Sequence, residues 1–153
     1  MSNVPLTRAT PEQEVEHLLQ LYDRDAAKIM SELQSQLSIL ANRAQTLLSL
    51  AGITITVTGF SGANIARTGR VGASLLVLGL VLVLVAAAIA MNGILRVRWT
   101  TSLPPCSLAE SVRAAIDVRD LKTRNFDLAM TLLVVGLTLY VSSVALLLLG
   151  NLP

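Results

Sequence analysis

The stretch "GITITVTGF", residues 52–60, alternates Ile53, Ile55 and Val57 with Thr54, Thr56 and Thr58, and every one of these side chains is β-branched. Taken alone, that is the pattern of a half-buried β-strand. Its surroundings decide otherwise. Lys, Arg, Asp and Glu are absent from three long windows, 44–66, 71–95 and 128–153. Each window can supply the roughly 20 residues that cross a ~30 Å hydrocarbon core. A lone strand in lipid would leave its backbone N–H and C=O groups unpaired, a cost that only helices and closed barrels avoid. One short alternation cannot close a barrel, whereas threonine hydroxyls can bond to carbonyls one turn earlier in a helix. The stretch is therefore expected to be a membrane helix with an unusually polar surface.

Composition agrees with that reading. Charged residues make up 14% of the 153 residues, against about 25% in an ordinary soluble domain, and mean hydropathy is +0.64. The expected fold is all-α: an integral membrane protein with three transmembrane helices, a long N-terminal amphipathic helix and a short cytoplasmic helix before the last span. Residues 1–10 are expected to be disordered and 11–43 to form the amphipathic helix. The spans are expected at 44–66, 71–95 and 128–150, with a cytoplasmic loop at 96–127 holding a helix at 108–124. The first residues lack the basic start and short apolar run of a signal peptide, so the first span is expected to be retained. Arg8, Arg24, Lys28 and Arg43 precede the first span, and Arg96, Arg98, Arg113, Arg119, Lys122 and Arg124 follow the second; only Arg67 and Arg70 lie between the two spans. The positive-inside rule then places the N-terminus and second loop in the cytoplasm, and the C-terminus on the periplasmic side of an inner membrane. Arg96, Arg98 and Trp99 suit interfacial anchors at the end of the second span.

Within the N-terminal segment, Thr10, Pro11 and Gln13 give a helix start with a capping box. Apolar residues then recur three and four apart at Val15, Leu18, Tyr22, Ala26, Ile29, Leu33, Leu37, Leu40, Ala44 and Leu47, with no Gly or Pro before Gly52. One helix running straight into the first span is the natural expectation. Its acidic flank of Glu12, Glu14, Glu16, Asp23 and Asp25 disfavours lying on an anionic leaflet and favours packing on the cytoplasmic loop or on another copy. Pro104 and Pro105 end the second span's helix, and Ser107 with Glu110 restarts it in a second capping box, leading into the third span. On that helix Arg113 with Asp117, and Asp120 with Arg124, fall four apart as expected ion pairs.

The chemistry expected is sparse. His17 and Cys106 are the sole histidine and cysteine, so one chain offers no disulfide and no Cys/His metal set. The spans hold no ionisable residue of the kind a proton relay needs, and no phosphate-binding glycine loop is present. No enzyme activity, cofactor, metal or nucleic-acid partner is expected, and Cys106 is expected to be an incidental thiol. The informative feature is spacing. Ser31, Ser35, Ser38, Asn42, Gln45, Ser49, Gly52, Thr56, Gly59 and Ala63 lie four and three apart, a single small or polar stripe. Gly72, Gly79, Ala86 and Gly93 recur every seven residues on the second span, and Ala129, Gly136, Ser143 and Gly150 on the third. Small residues at that period imply close, left-handed helix packing. Val83 is expected to lie off the packing stripe. Gln45, Ser49 and Thr56 add polarity that close packing does not need, which raises a pore-lining role for the first stripe beside a packing one.

The run "NRAQTLLSLAGITITVTGFSG", 42–62, resembles small bacterial membrane effectors of nucleotide-signalled anti-phage systems, the Pycsar transmembrane effectors and the two-helix domains of CBASS operons. Arg43, Ala44, Leu47, Leu48, Gly52 and Ile53 carry the resemblance. It implies a homo-oligomer in the lipid bilayer that leaks ions or disrupts the membrane when a cytoplasmic protein or nucleotide signal triggers it. The functional expectation is thus an oligomeric pore, channel or effector module, with a structural scaffold subunit of a membrane complex as the alternative.

Overall fold

The computed structural model describes residues 9–66, 69–95 and 106–150, apart from the side chains of 61–66, Leu147 and Gly150. Among the described residues every element is helical: α1 (Pro11–Leu21), α2 (Ala26–Ala66), α3 (Arg70–Ile89) closing in a π turn (Ala90–Ile94), and α4 (Leu108–Gly150). The strand-like stretch lies inside α2, and its hydroxyls do bond back: Thr54 Oγ1 to the Leu50 carbonyl at 2.9 Å, Thr56 to Gly52 at 2.9 Å and Thr58 to Thr54 at 2.7 Å. The helix at 108–124 and the last expected span are one helix. The expected anchors Arg96, Arg98 and Trp99, the loop prolines, and most of the start expected to be disordered lie outside the described residues.

The chain divides into two compact units, residues 1–39 with 97–121, and 40–96 with 122–153. In the first, α1 and the early parts of α2 and α4 bury Val15, Leu18, Ile29, Leu33, Val112, Ala115 and Ile116 together. Both capping boxes form. Gln13 N donates to Thr10 Oγ1 and Thr10 N to Gln13 Oε1, while Ser107 N donates to Glu110 Oε2 at 2.8 Å and Glu110 N to Ser107 Oγ.

The expected single helix over 11–43 is corrected here. It breaks between Leu21 and Ala26, where Asp23 (φ 49°) and Arg24 (φ 60°) adopt left-handed backbone. Arg24 N donates to Leu19 O at 2.9 Å and Asp23 N to Gln20 O at 3.4 Å, the two bonds of a Schellman helix end, with Asp where Gly is usual. Asp25 then caps α2, its Oδ1 accepting from Ala27 N at 3.0 Å and Lys28 N at 3.2 Å. Apolar spacing carries no information about this break, because docking α1 back on its neighbours buries the same residues.

In the second unit, α2, α3 and α4 bury Ala44, Leu47, Ala51, Val83, Ala86, Ala90, Ile94, Ala129 and Leu133. Two helices are long and apolar enough to cross a membrane, Arg70–Ile94 and Leu108–Leu146. The core helix of a water-soluble domain would bury most of such a segment; in these two, 28% and 22% of the apolar window is buried. Val71, Val77, Val141 and Leu148 instead stand more than half exposed, which is compatible with a membrane location.

Candidate functional site

The two seven-residue stripes meet. Gly72 and Gly79 on α3, and Ala129, Gly136 and Ser143 on α4, are all buried. A Cβ on Gly79 would lie 2.7 Å from the Gly136 carbonyl oxygen, and one on Gly136 2.8 Å from that of Gly79. Seven residues along, Ser143 Oγ donates to the Gly72 carbonyl at 2.8 Å. Seven the other way, Ala86 and Ala129 belong to one buried cluster. An antiparallel register therefore runs through both stripes, and the backbones touch because no side chain separates them. Val83 corrects the expectation made for it: it is 0% exposed, and its Cγ2 fills the space beside Gly136.

Gly93 ends the α3 stripe differently, against the Asn125 side chain rather than against backbone. There the helix widens into its π turn, Leu95 N reaching back to Ala90 O at 3.1 Å, and Lys122 Nζ donates to the Ile94 carbonyl at 2.8 Å. Lysine at a helix C-terminus satisfies an orphan carbonyl and opposes the helix dipole. In the sequence Lys122 counts only among the basic residues that set orientation, and Asn125 carries no expectation. Extending the antiparallel register by one more heptad places Gly93 opposite position 122, and that signal could have found the contact.

The first stripe behaves otherwise. The inward face of α2 in this unit is Ala44, Leu47, Ala51, Thr54 and Thr58, all buried. Asn42, Gln45, Ser49, Gly52, Thr56 and Gly59 are exposed, and a Cβ on Gly52 or Gly59 would meet nothing within 4 Å. At ~100° per residue these six lie on the face of α2 opposite the packed one. Ser31, Ser35 and Ser38 are exposed as well, while the surroundings of Ala63 and of Gly150 are outside what the structure describes. The stripe's hydroxyls are internally bonded, Ser49 Oγ to Gln45 O at 3.1 Å and Thr56 Oγ1 to Gly52 O. The amide side chains of Asn42 and Gln45 are its strongest polar groups.

In the first unit, charge rather than small size organises the contacts. Arg119 holds both carboxylate oxygens of Glu14, with Nη2 at 2.9 Å from Oε2, and donates to Asp120 Oδ1 at 2.7 Å and Gln36 Oε1 at 3.3 Å. The Glu14 hydrogen bond raises the Arg119 pKa further, against the opposing effect of burial. Arg113 pairs with Glu12 at 2.5 Å rather than with Asp117. The acidic flank of α1 thus docks on the basic face of α4. Cys106 is exposed, its Sγ 3.0 Å from Ser111 Oγ. Among the described residues no three His, Cys, Asp or Glu side chains gather as metal ligands would. Neither the family models, nor the curated proteins, nor the solved structures match this chain.

Proposed function

We propose that the chain is a homo-oligomeric bacterial inner-membrane protein of three spans in which the exposed stripe of α2 faces the oligomer axis, forming a pore or a membrane-effector module without catalytic activity. The N-terminus and second loop are cytoplasmic in this reading, and α2 supplies the first span at 44–66. One observation carries it: Asn42, Gln45, Ser49, Gly52, Thr56 and Gly59 are exposed on the face of α2 opposite its packing face. Placing amides such as Gln45 in hydrocarbon without a partner costs roughly 2–7 kcal/mol each. A partner copy or a column of water removes that cost, and Gly52 and Gly59 let neighbours come close. The scaffold reading draws on the bonds from Ser49 and Thr56 to their own backbone, since a stripe so satisfied can also pack against a different protein.

Cysteines introduced at positions 45, 49, 52, 56 and 59 of the reconstituted oligomer distinguish the two readings. In the pore they react with small hydrophilic thiol reagents, and Thr56→Val lowers ion flux from liposomes while assembly persists. Protection of all five positions in an assembled protein that passes no ions would end the pore reading.

A further inference from the structure

The sequence pattern and the fold disagree at one place, residues 22–25, and the disagreement has the form of a switch. Apolar residues keep helical spacing straight through it, at Leu18, Tyr22, Ala26 and Ile29, with no Gly or Pro. The backbone nevertheless turns back through two successive left-handed residues, Asp23 and Arg24. Left-handed backbone is unfavourable for side-chain-bearing residues, and it is most unusual for one as long as Arg. We infer that α1 is a spring-loaded strap: docked as observed, it can swing out and join α2 as one continuous helix from Pro11.

Opposing contacts hold the docked state. Arg119 bonds Glu14 of α1 and Gln36 of α2 together, so α1 lies back along α2, and Arg113 takes Glu12. Val15 and Leu18 complete the apolar contact, and Asp25 caps the broken end of α2. The extended state loses these contacts and gives the amides of 23–28 i→i−4 bonds in ordinary helical backbone, those of Tyr22 and Ile29 being formed already. Each state thus has its own set of named interactions, as a two-state element requires. The inference concerns the first unit only and does not depend on whether the protein conducts.

The test uses the full-length protein in lipid nanodiscs, with Cys106→Ser and spin labels at two exposed positions, His17→Cys on α1 and Asp117→Cys on α4. Distance distributions between the labels are read together with hydrogen exchange at the amides of 26–28. Asp25→Ala combined with Glu14→Gln is expected to raise a second distance, longer by on the order of 20 Å, at least about fivefold in population. In that variant the amides of Ala27 and Lys28 have lost the Asp25 acceptor, and together with that of Ala26 they become protected in parallel as the continuous helix forms. Adding Asp23→Gly and Arg24→Gly relieves the strain of the turn, weakens the continuous helix, and returns the short distance. The inference is overturned if no long-distance population forms, or if α1 separates while the amides of 26–28 stay unprotected, which is mere fraying. It is equally overturned if the two glycines leave the long-distance population unchanged.

Discussion

The Ser143 hydroxyl donates to the backbone carbonyl of Gly72 across 2.8 Å inside the face where α3 meets α4. One heptad away, Gly79 and Gly136 pass with no room for a Cβ on either. The hydrogen bond is the smaller contributor: interhelical bonds of this kind average ~0.6 kcal/mol in membranes, so Ser143→Ala should be tolerated. The close approach is the larger one.

Gly79→Leu should therefore prevent normal folding, because its Cβ alone would sit 2.7 Å from a backbone oxygen and overpacking typically costs ~1–3 kcal/mol or more. Val83→Leu should also destabilise, since Val83 is fully enclosed, whereas Val81→Leu, at a position 48% exposed, should be silent. Thermal unfolding of the three variants in detergent checks this; equal midpoints would show that the stripes are not in contact.

Gly52→Leu and Gly59→Leu make the opposite case. Open space surrounds both positions, so each variant should keep the wild-type monomer fold and, in the proposed homo-oligomer, lose or alter assembly. Mass measurement of the detergent-solubilised complex, alongside circular dichroism, reads the two effects separately. Unchanged assembly in both variants would leave the α2 stripe without a role between copies.

Arg119→Lys should weaken the first unit although charge is kept, because an ammonium cannot span both oxygens of Glu14 while also reaching Asp120 and Gln36. The Arg119 side chain is 16% exposed, and charge-assisted hydrogen bonds of that kind contribute ~1.5–3 kcal/mol. Arg113→Lys, at a pair whose side chains are 53% and 58% exposed, should cost little. Hydrogen exchange in α1 distinguishes them: faster in the first variant, near wild type in the second.

Acid should loosen the same unit. Hydrogen bonding to its own backbone N–H, then the charge of Arg113, holds the Glu12 pKa below its ordinary value. The Lys28 backbone N–H does so for Asp25, and that of Ser107 for Glu110. A depressed folded pKa means that the unfolded chain takes up protons first as pH drops. The stabilisation from these groups is thus complete above the unfolded values and disappears as pH falls through the folded ones. Helix caps at Thr10, Asp25 and Ser107 should fray below about pH 4 and be unchanged between pH 6 and 8. Exchange rates of the α1 and α2 N-terminal amides at pH 3 and 7, corrected for intrinsic rates, measure it.

Much of this protein was written locally. Absence of charge over 71–95 and 128–150 pointed to apolar helices, the local structure that would leave no backbone group unsatisfied in lipid. Thr10 with Gln13, and Ser107 with Glu110, dictate their helix starts because those bonds close within four residues. Heptads of small residues on α3 and α4 announced contact surfaces, though not which surface met which. Only the tertiary structure decided the pairing of Gly79 with Gly136, the enclosure of Val83 and the Lys122 contact with Ile94, since a period states a face and not its partner. It alone decided that Gln45, Ser49 and Thr56 point away from the packed core of α2, because Thr54 and Thr58 are as polar by composition and lie buried. The break at Asp23 and Arg24 is the plainest case: helical spacing persists through it, and the docking of Glu14 on Arg119, 105 residues apart in sequence, outweighs the local preference for continuous helix.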